Sequence, residues 1–135
     1  MKYRHFAPYF LVKKGIHGVG VFAAADIKKG EILRELTGEM LDHPTRTSIQ
    51  IGKNKHIEDE MGGLINHSCQ PTARIDKKNH SLVSIRNIRK GEEITFDYNE
   101  NEEAMASPFV CQCCGKYIMG KKGMPYQKRS LVKSE

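Results

Sequence analysis

No stretch of the chain reaches the roughly 18 consecutive apolar residues that a membrane-spanning helix requires. The amino-terminal MKYRHFAPYFLVKK has neither the long apolar core nor the small-residue cleavage site of a secretory signal peptide. A cytoplasmic or nuclear location is therefore expected, with export into a host by another route left open. Sustained helical periodicity and βαβ alternation are also missing, which argues against a doubly wound nucleotide-binding fold. Cysteine is scarce and uneven: Cys69 stands alone, while Cys111, Cys113 and Cys114 fall within four positions. In a reducing compartment such cysteines are more readily thiols or metal ligands than disulfides. At 135 residues the chain fits one domain around one core.

Basic residues are absent where acidic ones crowd. The chain carries a net charge of +6, yet residues 92–103 hold Glu92, Glu93, Asp97, Glu100, Glu102 and Glu103 and no Lys or Arg. Glu58-Asp59-Glu60 is a second acidic cluster, and the positive excess lies near the amino terminus and after Gly115. Two acidic clusters on a basic protein read either as solvated surface or as a place where a basic ligand docks.

The elements that are present are short. Strands are expected at residues 9–12, 21–24, 31–36, 48–51 and 94–96, and a hairpin pairs residues 74–76 with 82–88 across a polar turn. GIHGVG at residues 15–20 reads as a turn, residues 42–47 as a loop, and residues 58–65 as an ambiguous stretch with one helical turn. Ile27-Lys28-Lys29-Gly30-Glu31-Ile32 is echoed by Ile88-Arg89-Lys90-Gly91-Glu92-Glu93-Ile94. The echo is either a repeat or a shared turn solution built on a left-handed glycine. The expected class is mainly β, in small irregular sheets.

GGLINHSCQPTARI, residues 62–75, is the densest functional stretch. Asn66-His67-Ser68-Cys69 places four polar or reactive side chains in a row, each needing a partner or water, so it reads as a crowded turn at a site. As a glycosylation sequon Asn66-His67-Ser68 lacks the secretory context. As a nucleophilic triad it lacks separation, because triads are assembled in space rather than along the chain. Gly18-Val19-Gly20 could form a dinucleotide turn only with a helix after it, and Lys29-Gly30 interrupts too soon. Cys111, Cys113 and Cys114 with Cys69 are either zinc ligands, despite unusually tight spacing, or buried thiols. Tyr98 in GEEITFDY is either a core aromatic or a site residue.

Together these pieces resemble the SET-domain protein lysine methyltransferases, in order and over nearly the whole chain. Gly18-Val19-Gly20-Val21-Phe22-Ala23 is similar to the family's first motif and Glu35-Leu36-Thr37-Gly38-Glu39 to its second. Ile65-Asn66-His67-Ser68-Cys69-Gln70-Pro71 is similar to the third, and Gly91-Glu92-Glu93-Ile94-Thr95-Phe96-Asp97-Tyr98 to the fourth. Phe109-Val110-Cys111-Gln112-Cys113-Cys114, with Ile118 and Gly120, resembles a shortened post-SET tail. The chain departs from the family at Leu36, where Tyr is usual, at Gly63-Leu64 and at Thr72. A minimal version of the domain, without a pre-SET cysteine array, is expected.

The resemblance implies a SET fold of small curved sheets with a C-terminal pseudoknot, a SET domain at residues 1–107 and a post-SET-like cysteine segment with a basic tail at 108–135. It implies methyl transfer from S-adenosylmethionine to a lysine of a basic protein or peptide, such as a histone tail. A catalytically degenerate domain that binds a basic peptide or chromatin is the alternative. By resemblance Tyr98 and Phe96 are the catalytic residues, with Phe96 favouring di- or trimethylation. Gly18, Val19, Gly20, Asn66, His67, Tyr98 and Phe109 hold the donor, and Cys69, Cys111, Cys113 and Cys114 hold zinc. The acidic runs would then draw in the basic substrate. Direct nucleic-acid binding is not expected as the main function, since basic residues are not interleaved with aromatics.

Overall fold

The computed structural model describes residues 4–6, 10–16, 18–112 and 114–121. Thirteen short strands are described, and one helical turn is the only α-helix among these residues. β2 (Phe10–Gly15) and β3 (Gly18–Ala23) form a tight hairpin, in register from Phe10 opposite Ala23 to Gly15 opposite Gly18. The glycine-rich stretch is therefore mostly strand, with only its tip turning. β1 (Arg4–Phe6) joins the outer side of β2. On the inner side β3 pairs with β11 (Glu93–Phe96), and β11 pairs in parallel with β8 (Asn66–His67).

Two three-stranded sheets complete the body. β4 (Ile32–Glu35), β10 (Ser81–Ser84) and β9 (Ala73–Asp76) form one, in which the expected hairpin is present with Leu82 opposite Ile75. β5 (Glu39–Leu41), β7 (Lys55–Glu58) and β6 (Ile49–Gly52) form the other. The ambiguous residues 58–65 resolve into the end of β7 and a single 3₁₀ turn at Gly62–Leu64. β12 (Phe109–Val110) and β13 (Tyr117–Ile118) make a small C-terminal ribbon. No helix among the described residues is long and apolar enough to cross a membrane.

The sequence echo is a structural one. Ile27 and Ile88 face each other in an antiparallel bridge and exchange both backbone hydrogen bonds at 2.8 Å. Gly30 and Gly91 both sit at positive φ, +89° and +92°, where a side chain would be strained. The Glu31 carboxylate accepts from Lys28 N and the Glu92 carboxylate from Arg89 N. Lys29 N donates to Asn87 Oδ1, and Lys90 N donates to Asp26 Oδ1. Each turn thus closes on its own glutamate and is held by a side chain preceding the other, as in a pair related by local two-fold symmetry.

The main core gathers Phe10, Val21, Ile27, Ile49, Ile57, Met61, Ile65, Leu82, Ile88 and Ile94 from all three larger sheets. Leu36 is 5% exposed within it, so the residue that replaces the family's usual tyrosine packs as core. The acidic Asp59 is buried beside this core, 2% exposed. Its carboxylate accepts from Arg34 Nε at 3.0 and 3.2 Å, from Thr37 N at 2.8 Å and from Gly62 N at 2.6 Å. Glu58 is occupied nearby by the Thr45 and Thr47 hydroxyls. The expected docking role of this cluster is thereby narrowed, because Asp59 braces the 3₁₀ turn ahead of the third motif and Glu58 braces the loop at residues 45–47. Removing one partner of a buried pair strands the other charge. Asp59→Ala is expected to destabilise the fold by about 3–5 kcal/mol, checked by chemical denaturation; a loss below about 1 kcal/mol would show that the pair is dispensable.

Candidate active site

Two loops cross and fasten to each other at the end of β11. Thr95 and Phe96 lie opposite Asn66 and His67, and Ser68 N donates to Phe96 O at 3.2 Å. One residue on, Asp97 caps the helical turn α1 (Tyr98–Asn101), its side chain accepting from Asn99 N and Glu100 N. The cap turns the chain so that Tyr98 N donates to His67 Nδ1 at 3.0 Å. The Tyr98 hydroxyl donates to the carbonyl of Ile65. Residues 65–68 and 96–98 are thus laced from both sides, the association the pseudoknot expectation requires. The crowded turn at Asn66-His67 is in fact a two-residue strand, whose backbone pairing leaves its side chains free for other contacts.

Asn66 is half-buried, the His67 side chain is only 2% exposed, and each is engaged. Asn66 Nδ2 donates to Val19 O at 3.1 Å and to Glu93 Oε2 at 2.8 Å. A Cβ at Gly20 would lie 2.5 Å from Glu93 Oε2 and 2.9 Å from Asn66 Nδ2, so only glycine admits this bridge. His67 Nδ1 accepts from a backbone amide, which leaves the ring proton on Nε2. Burial holds His67 below its ordinary pKa, against the pull of Asp97. The ring lies 5.3 Å from Tyr98 and 5.9 Å from Phe109, with Phe96 4.8 Å beyond Tyr98. Tyr98 packs against both the main core and the small C-terminal cluster of Met105, Cys111 and Ile118. Burial raises its phenol well above the ordinary value, and the charges of Glu102 and Glu93 push the same way.

Two cavities meet at this tyrosine. A wide cleft of about 760 Å³ is lined by Ile16, Arg46, Asn66, His67, Tyr98 and Phe109, among others. A narrow cavity of about 30 Å³ is lined by Thr45, Thr47, Ile49, Phe96, Tyr98 and Glu102, among others. Arg46, Gly63, Tyr98, Met105 and Ser107 belong to both walls. Of the residues singled out from sequence, Asn66, His67, Tyr98 and Phe109 line the wide cleft and Phe96 lines the narrow cavity. Gly18, Val19 and Gly20 line neither; they stand behind the cleft and reach it through Asn66. Arg46, Glu102 and Met105 are wall residues that motif reading passed over. Glu102 was visible only as one acid in a run, and nothing in the spacing separates it from Glu100 or Glu103.

The cysteines converge beside His67. Cys69 Sγ lies 3.7 Å from Cys111 Sγ, 2.7 Å from Cys114 Sγ and 3.5 Å from His67 Nε2. Cys113 lies outside the described residues. Ligand atoms of His67, Cys69 and Cys111 fall within 4.8 Å of one another. The neighbouring thiols, Cys114 foremost, push the Cys69 thiol up to about 12. Thiolates about 2.3 Å from one zinc would stand about 3.8 Å apart. The Cys69–Cys111 separation matches that edge, whereas the Cys69–Cys114 pair would have to open by about 1 Å.

Residues 18–99 match the SET domain family model, well over half of the chain. The chain belongs to the SET-domain family. It is similar to relatives whose names assign them an activity. One is a histone-lysine N-methyltransferase, H3 lysine-36 specific, of Debaryomyces hansenii, at 32% identity over 87% of this chain. Another of the same name, from Yarrowia lipolytica, is 31% identical over 86%. A variant-silencing SET domain-containing protein of Plasmodium falciparum is 30% identical over 86%. The alignments span only 20%, 18% and 6% of those relatives' lengths. Among solved structures, one from Plasmodium falciparum, provisionally described as a histone methyltransferase, superposes with a TM-score of 0.55 at 28% identity. It covers 69% of this chain and 95% of the other. The fold is thus the SET fold in its usual form of several small sheets.

Proposed function

We propose that this SET domain transfers methyl groups from S-adenosylmethionine to the side-chain amine of a lysine in a basic protein of the histone class. The observation that carries the reading is the meeting of a wide cleft and a narrow cavity at Tyr98. Such a pair of openings suits a reaction in which donor and acceptor enter from opposite sides. Support for the substrate class comes from the names of the relatives, and a histone-class substrate would place the protein's work at chromatin. Residues 1–107 would form the catalytic body and residues 108–135 the post-SET-like segment.

The cleft fits the donor by chemistry. Phe109, with the His67 ring packed edge-on beneath it, offers aromatic surface to an adenine, and Asn66 is fixed beside the first-motif strand by two hydrogen bonds. When bound, the donor supplies a methyl group on a sulfonium. The acceptor lysine, with an ordinary pKa of about 10.4, has to reach the site as a neutral amine. The apolar faces of Phe96 and Met105 and the partly buried Tyr98 would limit water at the junction. Such exclusion lowers an amine's pKa by disfavouring its charged form. Tyr98, fixed by its hydroxyl bond to Ile65 and its amide bond to His67, would orient the amine. Phe96 puts no hydroxyl beside the nitrogen, which leaves room for an already methylated amine. Zinc held by Cys69, Cys111, Cys113 and Cys114 would fix the tail against the third motif and hold Phe109 over the cleft.

Tyr98→Phe is expected to lower transfer of label from S-adenosylmethionine to core histones on the order of 10²-fold while the fold persists. Undiminished transfer would remove the role given to this hydroxyl. Phe96→Tyr is expected to shift products from di- and trimethyllysine toward monomethyllysine, read by mass spectrometry of the acceptor. Monomethyl product from both forms would overturn the Phe96 assignment. Elemental analysis of purified protein is expected to find about one zinc per chain, lost in Cys69→Ser, with a lower melting temperature. A metal-free wild type of equal stability would make the cysteines plain thiols.

A further inference from the structure

Glu102 is the acid that motif reading does not account for. It is 5% exposed and lines the narrow cavity together with Phe96 and Tyr98. Its Oε2 accepts from Gln50 N and from Asn101 Nδ2, each at 2.8 Å. Among the described residues no donor reaches Oε1. Oε1 is not sealed in: the fully buried, unpartnered side-chain atom among the described residues is His56 Nδ1, so Oε1 keeps an accessible side that a polar group can claim. In a cavity of about 30 Å³, any group that enters lies within a few ångströms of every wall. The group that the proposed reaction brings there is a lysine ammonium.

We propose that Glu102 Oε1 receives the proton that the acceptor lysine must shed before methyl transfer. This rests on the methyltransferase reading and adds to it a base of this chain's own. The step is balanced within the pair: one N–H bond of the ammonium breaks and an O–H bond forms at Oε1. A charged pair becomes a neutral acid and a neutral amine, whose freed lone pair can attack the methyl carbon. Burial favours that direction, because two buried charges are replaced by none. The surroundings are consistent with a carboxyl able to hold either state. Burial raises the Glu102 pKa, while the bonds from Gln50 and Asn101 and the charge of Lys77 oppose that rise.

The charged and titratable groups around Glu102 come from several elements. Tyr98 precedes it on α1, and Glu103 follows it in sequence. Lys77 approaches from the end of β9, with Nζ donating to Asn101 O at 2.6 Å. Arg46 lines the same cavity from the loop before β6, and Lys121 N donates to Glu102 O at 2.7 Å. Lys77 is itself held below its ordinary pKa by burial. None of these groups is bonded to Oε1, so the oxygen is open to substrate.

The decisive experiment is the pH dependence of single-turnover methyl transfer to core histones by the wild type and Glu102→Gln. Glutamine keeps an oxygen for Gln50 N and Asn101 Nδ2, and donor binding by calorimetry is expected to be unchanged. At pH 7 the variant is expected to be slower by about 10²–10⁴-fold. Its rate is expected to climb tenfold per pH unit toward the lysine's own pKa, while the wild-type rate declines only at low pH, where Glu102 itself takes up a proton. Coincident profiles for the two proteins would overturn the proposal and leave the methyltransferase reading standing. No transfer by the wild type at any pH would overturn both. Should Glu102→Gln fail to fold, an H3-tail peptide with an aminooxy group in place of the lysine amine decides the matter. That acceptor is neutral near pH 7 and needs no base, so the wild type is expected to lose its low-pH decline; a persisting decline would overturn the proposal.

Discussion

The parallel pairing of Thr95 and Phe96 with Asn66 and His67 is the constraint on which the rest of the site depends. It is two residues long, and so short a ladder has little stability of its own. Its persistence comes from what flanks it. Thr72 Oγ1 donates to Glu93 O and accepts from Thr95 N, while Thr95 Oγ1 accepts from Thr72 N. Ser68 Oγ accepts from Gln70 N, which closes the turn after the pairing. Beyond β11, the Asp97 cap makes the chain bend immediately. A longer β11 would carry Tyr98 past His67 and Ile65, and an uncapped turn would leave its direction undefined. The position of one phenol is therefore set by a register, a threonine clamp and a helix cap acting in sequence.

The buried acids divide by how completely they are satisfied. Asp59 receives donors on both oxygens and faces a guanidinium, so it acts as a structural anchor between β4 and the 3₁₀ turn. Outside the core, the partly exposed Glu92 closes a turn and Glu93 supports Asn66. Glu102 differs in having Oε2 bonded twice and no donor on Oε1 among the described residues, at the wall of the narrow cavity. That oxygen is accessible rather than sealed in, so a polar group can take it without displacing a protein donor. The same contrast separates the tail's polar residues. Asn99 Oδ1 accepts from both Met119 N and Gly120 N, which ties the C-terminal ribbon to the turn that carries Tyr98. The C-terminal ribbon is joined to the rest of the fold through α1 as well as through the cysteines.

Much of this was legible in the sequence wherever a physical requirement left a local mark. The hairpin at residues 73–84 was marked by two apolar runs around a polar turn. Gly30 and Gly91 marked their turns, and the four motifs marked the family through their order. The two residues of β8 left no such mark, because their pairing partners lie nearly thirty positions away and no alternation fits in so short a strand. β5 and β7 were missed for a related reason: neither carries enough apolar residues to stand apart from its loops. Asp59 and Glu102 were misjudged together, since composition cannot tell a buried acid from a solvated one. Burial is decided by what packs above the residue, and here that is Arg34 in one case and Gln50 with Asn101 in the other.

The two related turns give the site its rigidity at a distance. Ile27 and Ile88 join the turns back to back, and Ala23 continues the pairing by donating to Glu92 O and accepting from Gly91 N. β3 and β11 therefore emerge side by side from one braced junction, with Val21 opposite Ile94. That adjacency brings Gly20 beneath Asn66 and Glu93, where a side chain larger than hydrogen would collide with both. The first, third and fourth motifs, far apart in the chain, thus meet because a pair of basic-glycine turns sets the spacing of two strands. The lysines and arginine in those turns contribute backbone donors to the bracing. Their side chains can vary without moving the site, whereas Gly30, Gly91 and the glutamates that close each turn cannot.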